Sequence, residues 1–260
     1  MPAIFVGVDV FHAPMVYDPE SKQRRRKASC AAIIIEVIRN NTSDQALVEI
    51  YSETWKRSGG NEYQLGDALQ QTITNARKVL KVNPLCVVVW RDGIGESEFD
   101  RASKEEIEGI RKGLRQGTEV VDKGQSSQPQ TIPLAYVVCQ KRIATKFLTL
   151  DGRHGAPSGT LVKGIQGLKH ETFYINGRAP PFSTPKPVRY IIIEEDDALA
   201  DLPLEELTWG QCHNYPNWTG PIKVPSACQM AHKLAELAGS FVDCGETINA
   251  ERFKNKIHFL

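Results

Sequence analysis

Apolar residues along the first third of the chain fall into runs and alternations of strand length. Residues 4–11 form a nearly continuous apolar run, 28–38 are β-branched and apolar, and 46–55 alternate as a half-buried strand does. Three strands therefore open the chain. From 62 to 80 the period changes: Leu65, Leu69, Ile73, Ala76 and Leu80 recur at three and four residues until Asn83-Pro84, which predicts an amphipathic helix. A buried strand over 85–90, a helix over about 103–114 and another buried strand over 133–139 follow. The C-terminal part reads as a strand over 188–194 and helices over 204–213 and 226–239. Residues 116–130 and 151–158 read as loops, not domain boundaries, and there is no internal repeat.

Hairpins give antiparallel neighbours and helical crossovers give parallel ones. The order β-β-β-α-β-α-β thus predicts an α/β fold: an RNase H-like mixed sheet with helices on both faces, a C-terminal helical extension and one domain over 1–260.

Composition narrows the partners. With 41% hydrophobic and 24% charged residues and a net charge of +1, the chain is neither a disordered tail nor a uniformly basic coat, so any nucleic-acid surface is a local patch. The runs at 31–35 and 85–90 fall far short of the roughly 20 residues that cross a bilayer. The first residues lack the basic start and cleavage site of a secretory signal. The expectation is no membrane partner and a cytoplasmic protein, a nuclear one being also compatible. The six cysteines are scattered without a CxxC pair, so neither a disulfide framework nor a zinc site from Cys212, His213, Cys228 and Cys244 is expected. The basic stretch 21–27 is either a phosphate contact or a solvated hairpin tip.

Four residues raise a chemical question. Asp9 lies in an apolar strand, where an unpaired carboxylate is costly, and Asp92 ends another such strand. They could share divalent cations at the sheet edge; equally, Asp9 could pair with a Lys or Arg and Asp92-Gly93 could be an ordinary turn. His213 closes a predicted helix, where a C-terminal dipole partner is the common role. Glu62, after Ser58-Gly59-Gly60-Asn61, by default is a first-turn acid.

Three segments resemble the signature segments of the PIWI domain of Argonaute-type proteins, in family order: Gly7-Val8-Asp9-Val10-Phe11-His12, Trp90-Arg91-Asp92-Gly93-Ile94-Gly95-Glu96 and Cys139-Gln140-Lys141-Arg142-Ile143-Ala144-Thr145-Lys146-Phe147. Gly159-Thr160-Leu161-Val162 resembles the family's Gly-Thr strand. The blocks at 207–218 and 224–235 are similar to its C-terminal region, so the match spans nearly the whole chain. The resemblance implies a slicer, an endonuclease that uses Mg2+ or Mn2+ to hydrolyse target RNA paired to a small guide RNA in gene silencing. It makes Asp9, Asp92 and His213 the metal ligands and Glu62 the mobile fourth catalytic residue.

It also places Gln140, Lys141, Arg142, Lys146, Lys186 and Arg189 along the guide backbone, and makes the carboxylate of Leu260 a candidate ligand of a metal at the guide 5′ phosphate. A hydrophobic anchor is the other reading of Leu260. MID and PAZ regions, absent from these 260 residues, would come from upstream sequence or a partner polypeptide. The alternative is a non-cutting small-RNA-binding silencing factor that recruits partners.

Overall fold

The computed structural model describes residues 2–12, 15–19, 22–26, 29–40, 46–56, 65–116, 131–178, 184–243, 257 and 259–260. Its centre is an eight-stranded sheet. β1 (Ala3–Phe11), β4 (Cys30–Asn40) and β5 (Ala46–Lys56) form an antiparallel meander, and a hairpin of β2 (Met15–Asp18) and β3 (Gln23–Arg26) projects between β1 and β4. Within the basic stretch 21–27, Gln23–Arg26 therefore form a strand of this hairpin.

α1 (Leu65–Leu80) then crosses over to β6 (Val87–Asp92), which lies parallel to β1. The second crossover is one helical run with an irregular middle: α2 (Phe99–Arg101), a π-helical turn at Ala102–Ile107, and α3 (Glu108–Gln116). It leads to β7 (Leu134–Gln140), parallel to β6. β8 (Leu161–Lys163), β9 (Thr172–Ile175) and β10 (Val188–Glu195) complete the order β5-β4-β1-β6-β7-β10-β9-β8. The expected mixed sheet is present, and it is open, not a closed barrel.

Alternation along the strands divides the core. Val6 and Val8 of β1, with Ile33 and Ile35 of β4, face α1 and α3, burying Leu65, Leu69, Ile73 and Ala76 as their spacing predicts. On the opposite face, α4 (Leu204–Gln211) covers Phe5, Val88 and Trp90. α5 (Ser226–Asp243) covers Ala32 and Ile34 with Ala227, Met230, Ala231 and Leu234. α5 approaches β1 so closely that a Cβ on Gly7 would lie 2.0 Å from the Ala227 carbonyl oxygen. Glycine is required there by space. None of the described helices is long and apolar enough to cross a membrane.

Candidate metal centre and nucleic-acid face

The parallel register of β1 and β6 pairs Val8 with Arg91, so one residue further the strands set Asp9 beside Asp92. β6 ends at Asp92, and Gly93 turns the chain at φ +83°, a left-handed angle that favours glycine. Asp92-Gly93 is thus a turn, and the same turn leaves Asp92 beside Asp9. Both acids are buried, Asp9 at 7% and Asp92 at 3% exposure.

Each carboxylate is held. The backbone N–H of Val10 donates to Asp9 Oδ1 at 2.8 Å, and His232 Nδ1 lies 2.7 Å from Asp9 Oδ2. The Lys141 ammonium, just past the end of β7, is ion-paired with Asp92. Burial raises the Asp9 pKa, but the hydrogen bond and charge of His232, with Lys141 and Arg91 behind, outweigh it and hold Asp9 below the usual carboxylate range. Asp92 moves the other way. Burial and the neighbouring charge of Asp9 push it up, and Lys141 and His232 only partly offset them.

Among the described residues, Asp9, Asp92 and His232 form the one group able to offer three ligand atoms, all within 4.8 Å of one another. The structure thus brings His232 to the carboxylates, and not His213. His213 lies beyond the end of α4, exposed, with Nδ1 3.1 Å from the Trp209 carbonyl oxygen and its ring edge-on to the Trp209 indole. The physical reason is which helix lies over β1: α4 packs on β6, β7 and β10, whereas α5 lies across β1 and β4. Glu62 lies outside the described residues. Leu260 packs its side chain, with Phe259, against the cluster beneath α5, as a hydrophobic anchor does.

Two buried carboxylates and an imidazole could hold a divalent cation, and the mutual repulsion of Asp9 and Asp92 is what a bound cation would relieve. Around them lies a basic rim. Lys223 Nζ donates to the Lys141 carbonyl at 3.2 Å, and burial together with the charges of Lys141 and Lys186 pulls its pKa down. Crowded ammonium groups of this kind favour an incoming anion. Lys223 escaped the sequence reading because an isolated Lys in a Pro-flanked loop carries no local signal.

Arg142 and Lys146 are exposed, as is Lys186. Arg189 is engaged within the protein: its Nη1 is 2.7 Å from Glu96 Oε1 and 3.4 Å from Gln140 Oε1, while Gln140 Nε2 reaches the Ile94 carbonyl at 3.5 Å.

The family model described as the Piwi domain matches residues 1–243. Piwi-like protein 1 of Danio rerio is 28% identical over 257 residues, covering 96% of this chain and 27% of its own length. The crystal structure of Drosophila Piwi superposes with a TM-score of 0.72 at 22% identity, over 99% of this chain and 32% of that one. The structure of Kluyveromyces polysporus Argonaute with a guide RNA gives 0.72 at 17% identity, over 99% and 32%. The chain spans about a quarter to a third of the length of the curated relatives it matches.

Proposed function

Because this chain belongs to the Piwi domain family, we propose that it is the cutting domain of a guide-directed endonuclease, hydrolysing RNA paired to a small guide. The observation that carries the reading is the convergence of Asp9, Asp92 and His232 at the ends of β1 and β6. Divalent cations held there would activate the attacking water and stabilise the leaving 3′ oxygen.

The protein's own groups supply the rest. His232 and the Val10 N–H fix Asp9 in one orientation, so that it presents a preset oxygen to a cation. Lys141 neutralises Asp92 and, in this reading, is released to a backbone phosphate when a cation takes its place. Lys186, Lys223, Arg142 and Lys146 extend that cationic track, which grips backbone and leaves sequence to base pairing. Gln140 and Arg189 belong to its floor. Glu62 is proposed as the fourth catalytic residue, and the Leu260 carboxylate as a ligand near the guide 5′ phosphate, both on the resemblance. Regions supplying the MID and PAZ functions complete the grip.

Guide-loaded protein should cleave complementary RNA in Mg2+ or Mn2+ but poorly in Ca2+, whose looser coordination handles the transition state badly. Asp9→Ala should remove cleavage and leave guide retention nearly intact, because grip and chemistry use separate groups. Cleavage by this variant at the wild-type rate would overturn the reading. One observation favours the alternative, a guide-binding factor that does not cut: the ammonium of Lys141 already occupies Asp92. Retained guide with no cleavage in any divalent cation would select it.

A further inference from the structure

Glu36 is a buried acid that the metal centre does not use. It lies in β4 opposite Phe5, at 2% exposure, on the same face as Ala32 and Ile34, which pack against α5. A buried carboxylate is costly, and Glu36 is only half satisfied: Oε1 accepts a hydrogen bond from the Ser226 hydroxyl at 2.7 Å, while Oε2 has no partner among the described residues. Neighbours on that face are apolar. Packing alone would be served better by one more apolar residue, since well-packed substitutes for buried ionic groups are often neutral or stabilising.

What Glu36 holds is the start of α5. Ser226 is the first residue of that helix, and its hydroxyl also lies 3.3 Å from the Asn214 carbonyl, so β4, α5 and the turn after α4 meet at one oxygen. The next residue, Ala227, rests on Gly7 of β1 with no room to spare. His232 follows Ser226 by six residues, about 9 Å along a rigid helix. A displacement at Ser226 is therefore carried to the imidazole that bonds Asp9.

We propose that Glu36 is a positioning residue for the metal centre, acting through Ser226 to fix where α5 places His232 against Asp9. The inference deepens the metal-centre reading and rests on it for one of two measurements. A neutral acceptor suffices for this task, consistent with the burial that pushes Glu36 up to about 7 against the opposing Ser226 bond.

The test uses the 260-residue chain as Glu36→Leu, Ser226→Ala and Glu36→Gln variants. The His232 ring resonances are followed by NMR in metal-free protein, and Mn2+ affinity is measured by calorimetry, with thermal unfolding alongside. Glu36→Leu and Ser226→Ala should both shift the His232 resonances and weaken Mn2+ binding about tenfold, the low end of the range for groups behind metal ligands. Glu36→Gln, whose amide oxygen still accepts from Ser226, should keep both within about twofold. Combining Glu36→Leu with Ser226→Ala should add no further loss, since the pair acts as one link.

Unmoved His232 resonances and unchanged affinity in both Glu36→Leu and Ser226→Ala overturn the proposal, even if the melting temperature falls. Should Glu36→Leu not fold, Ser226→Ala decides by itself, because it removes a single hydroxyl. If the variants show the shifts but the wild-type protein takes up no Mn2+, the metal reading fails while the positioning of His232 stands.

Discussion

Arg91 and Asp92 are neighbours in β6, both buried and both ion-paired, yet their surroundings are opposites. Arg91 faces α3. Its Nε lies 3.1 Å from Glu106 Oε2 in the π-helical turn, the Tyr136 hydroxyl donates to the same oxygen at 2.6 Å, and another guanidinium nitrogen bonds the Asp92 carbonyl. That cluster is matched in charge and sealed. Asp92 faces α5, beside a second carboxylate, with Lys141 26% and His232 42% exposed at the side chain. That cluster is rich in acid and open on one side. A sealed, matched pair serves the fold, whereas an open acidic one has a use for a cation from solution.

The comparison breaks most sharply at Asp92. Asp92→Ala should slow guided cleavage by more than about a thousandfold, over 4 kcal/mol of transition-state stabilisation, with folding retained; single-turnover cleavage measures it. Glu106→Ala should do the reverse damage, unfolding the protein in urea with a loss of about 3 kcal/mol or more, because it leaves Arg91 charged, buried and unpaired. If Glu106→Ala instead left stability intact and abolished only cleavage, the contrast between the two sides of β6 would collapse.

A smaller effect separates the acids by pH. With its pKa raised from 4.5 to about 7, Glu36 is a group whose proton the folded state holds more tightly. Its contribution to stability is fully present below 4.5 and is lost as pH rises through 7, on the order of 3 kcal/mol in all. Urea midpoints between pH 4 and 8 should therefore fall with rising pH in wild type relative to Glu36→Gln. Asp9, held low, runs the other way: its contribution is present above the ordinary carboxylate value and is lost as pH falls through the lowered one.

On the rim, Lys223→Ala should weaken guide binding similarly for all sequences and lower the salt slope by about one, as loss of one phosphate contact requires. Smallest of all, His213→Ala should leave Mn2+ affinity within about twofold, where loss of a group supporting the metal costs tenfold or more. A large loss in His213→Ala would return His213 to the centre in place of His232.

Much of this architecture was legible because it is local. A continuous apolar run marks β1, β6 and β7 whatever surrounds them, and the three-and-four spacing of Leu65, Leu69, Ile73 and Ala76 fixes the buried face of α1. β9, Thr172–Ile175, was missed, because four residues are too few for a period to declare itself. The two carboxylates were legible for a different reason: an acid in or ending an apolar strand must be compensated by something. Which histidine compensates them was not. His213 and His232 both belong to helical patterns, and the distinction lies in which helix lies over β1, a tertiary fact. One faint signal existed, since Cys228, Ala231 and Ala235 around His232 are all buried, leaving it at the margin of an apolar stripe.

The hydrogen bond from His232 to Asp9 joins residues 223 positions apart. Contacts of such separation close late in folding, because the intervening chain must first give up its freedom. During synthesis the consequence is temporal. Asp9 and Asp92 leave the ribosome long before α5 does, so a nascent chain can build the sheet of β1, β4 and β6 while lacking its imidazole. The group of Asp9, Asp92 and His232 becomes whole only when translation has passed α5, so any chemistry it carries would be withheld from fragments and from chains still in the making.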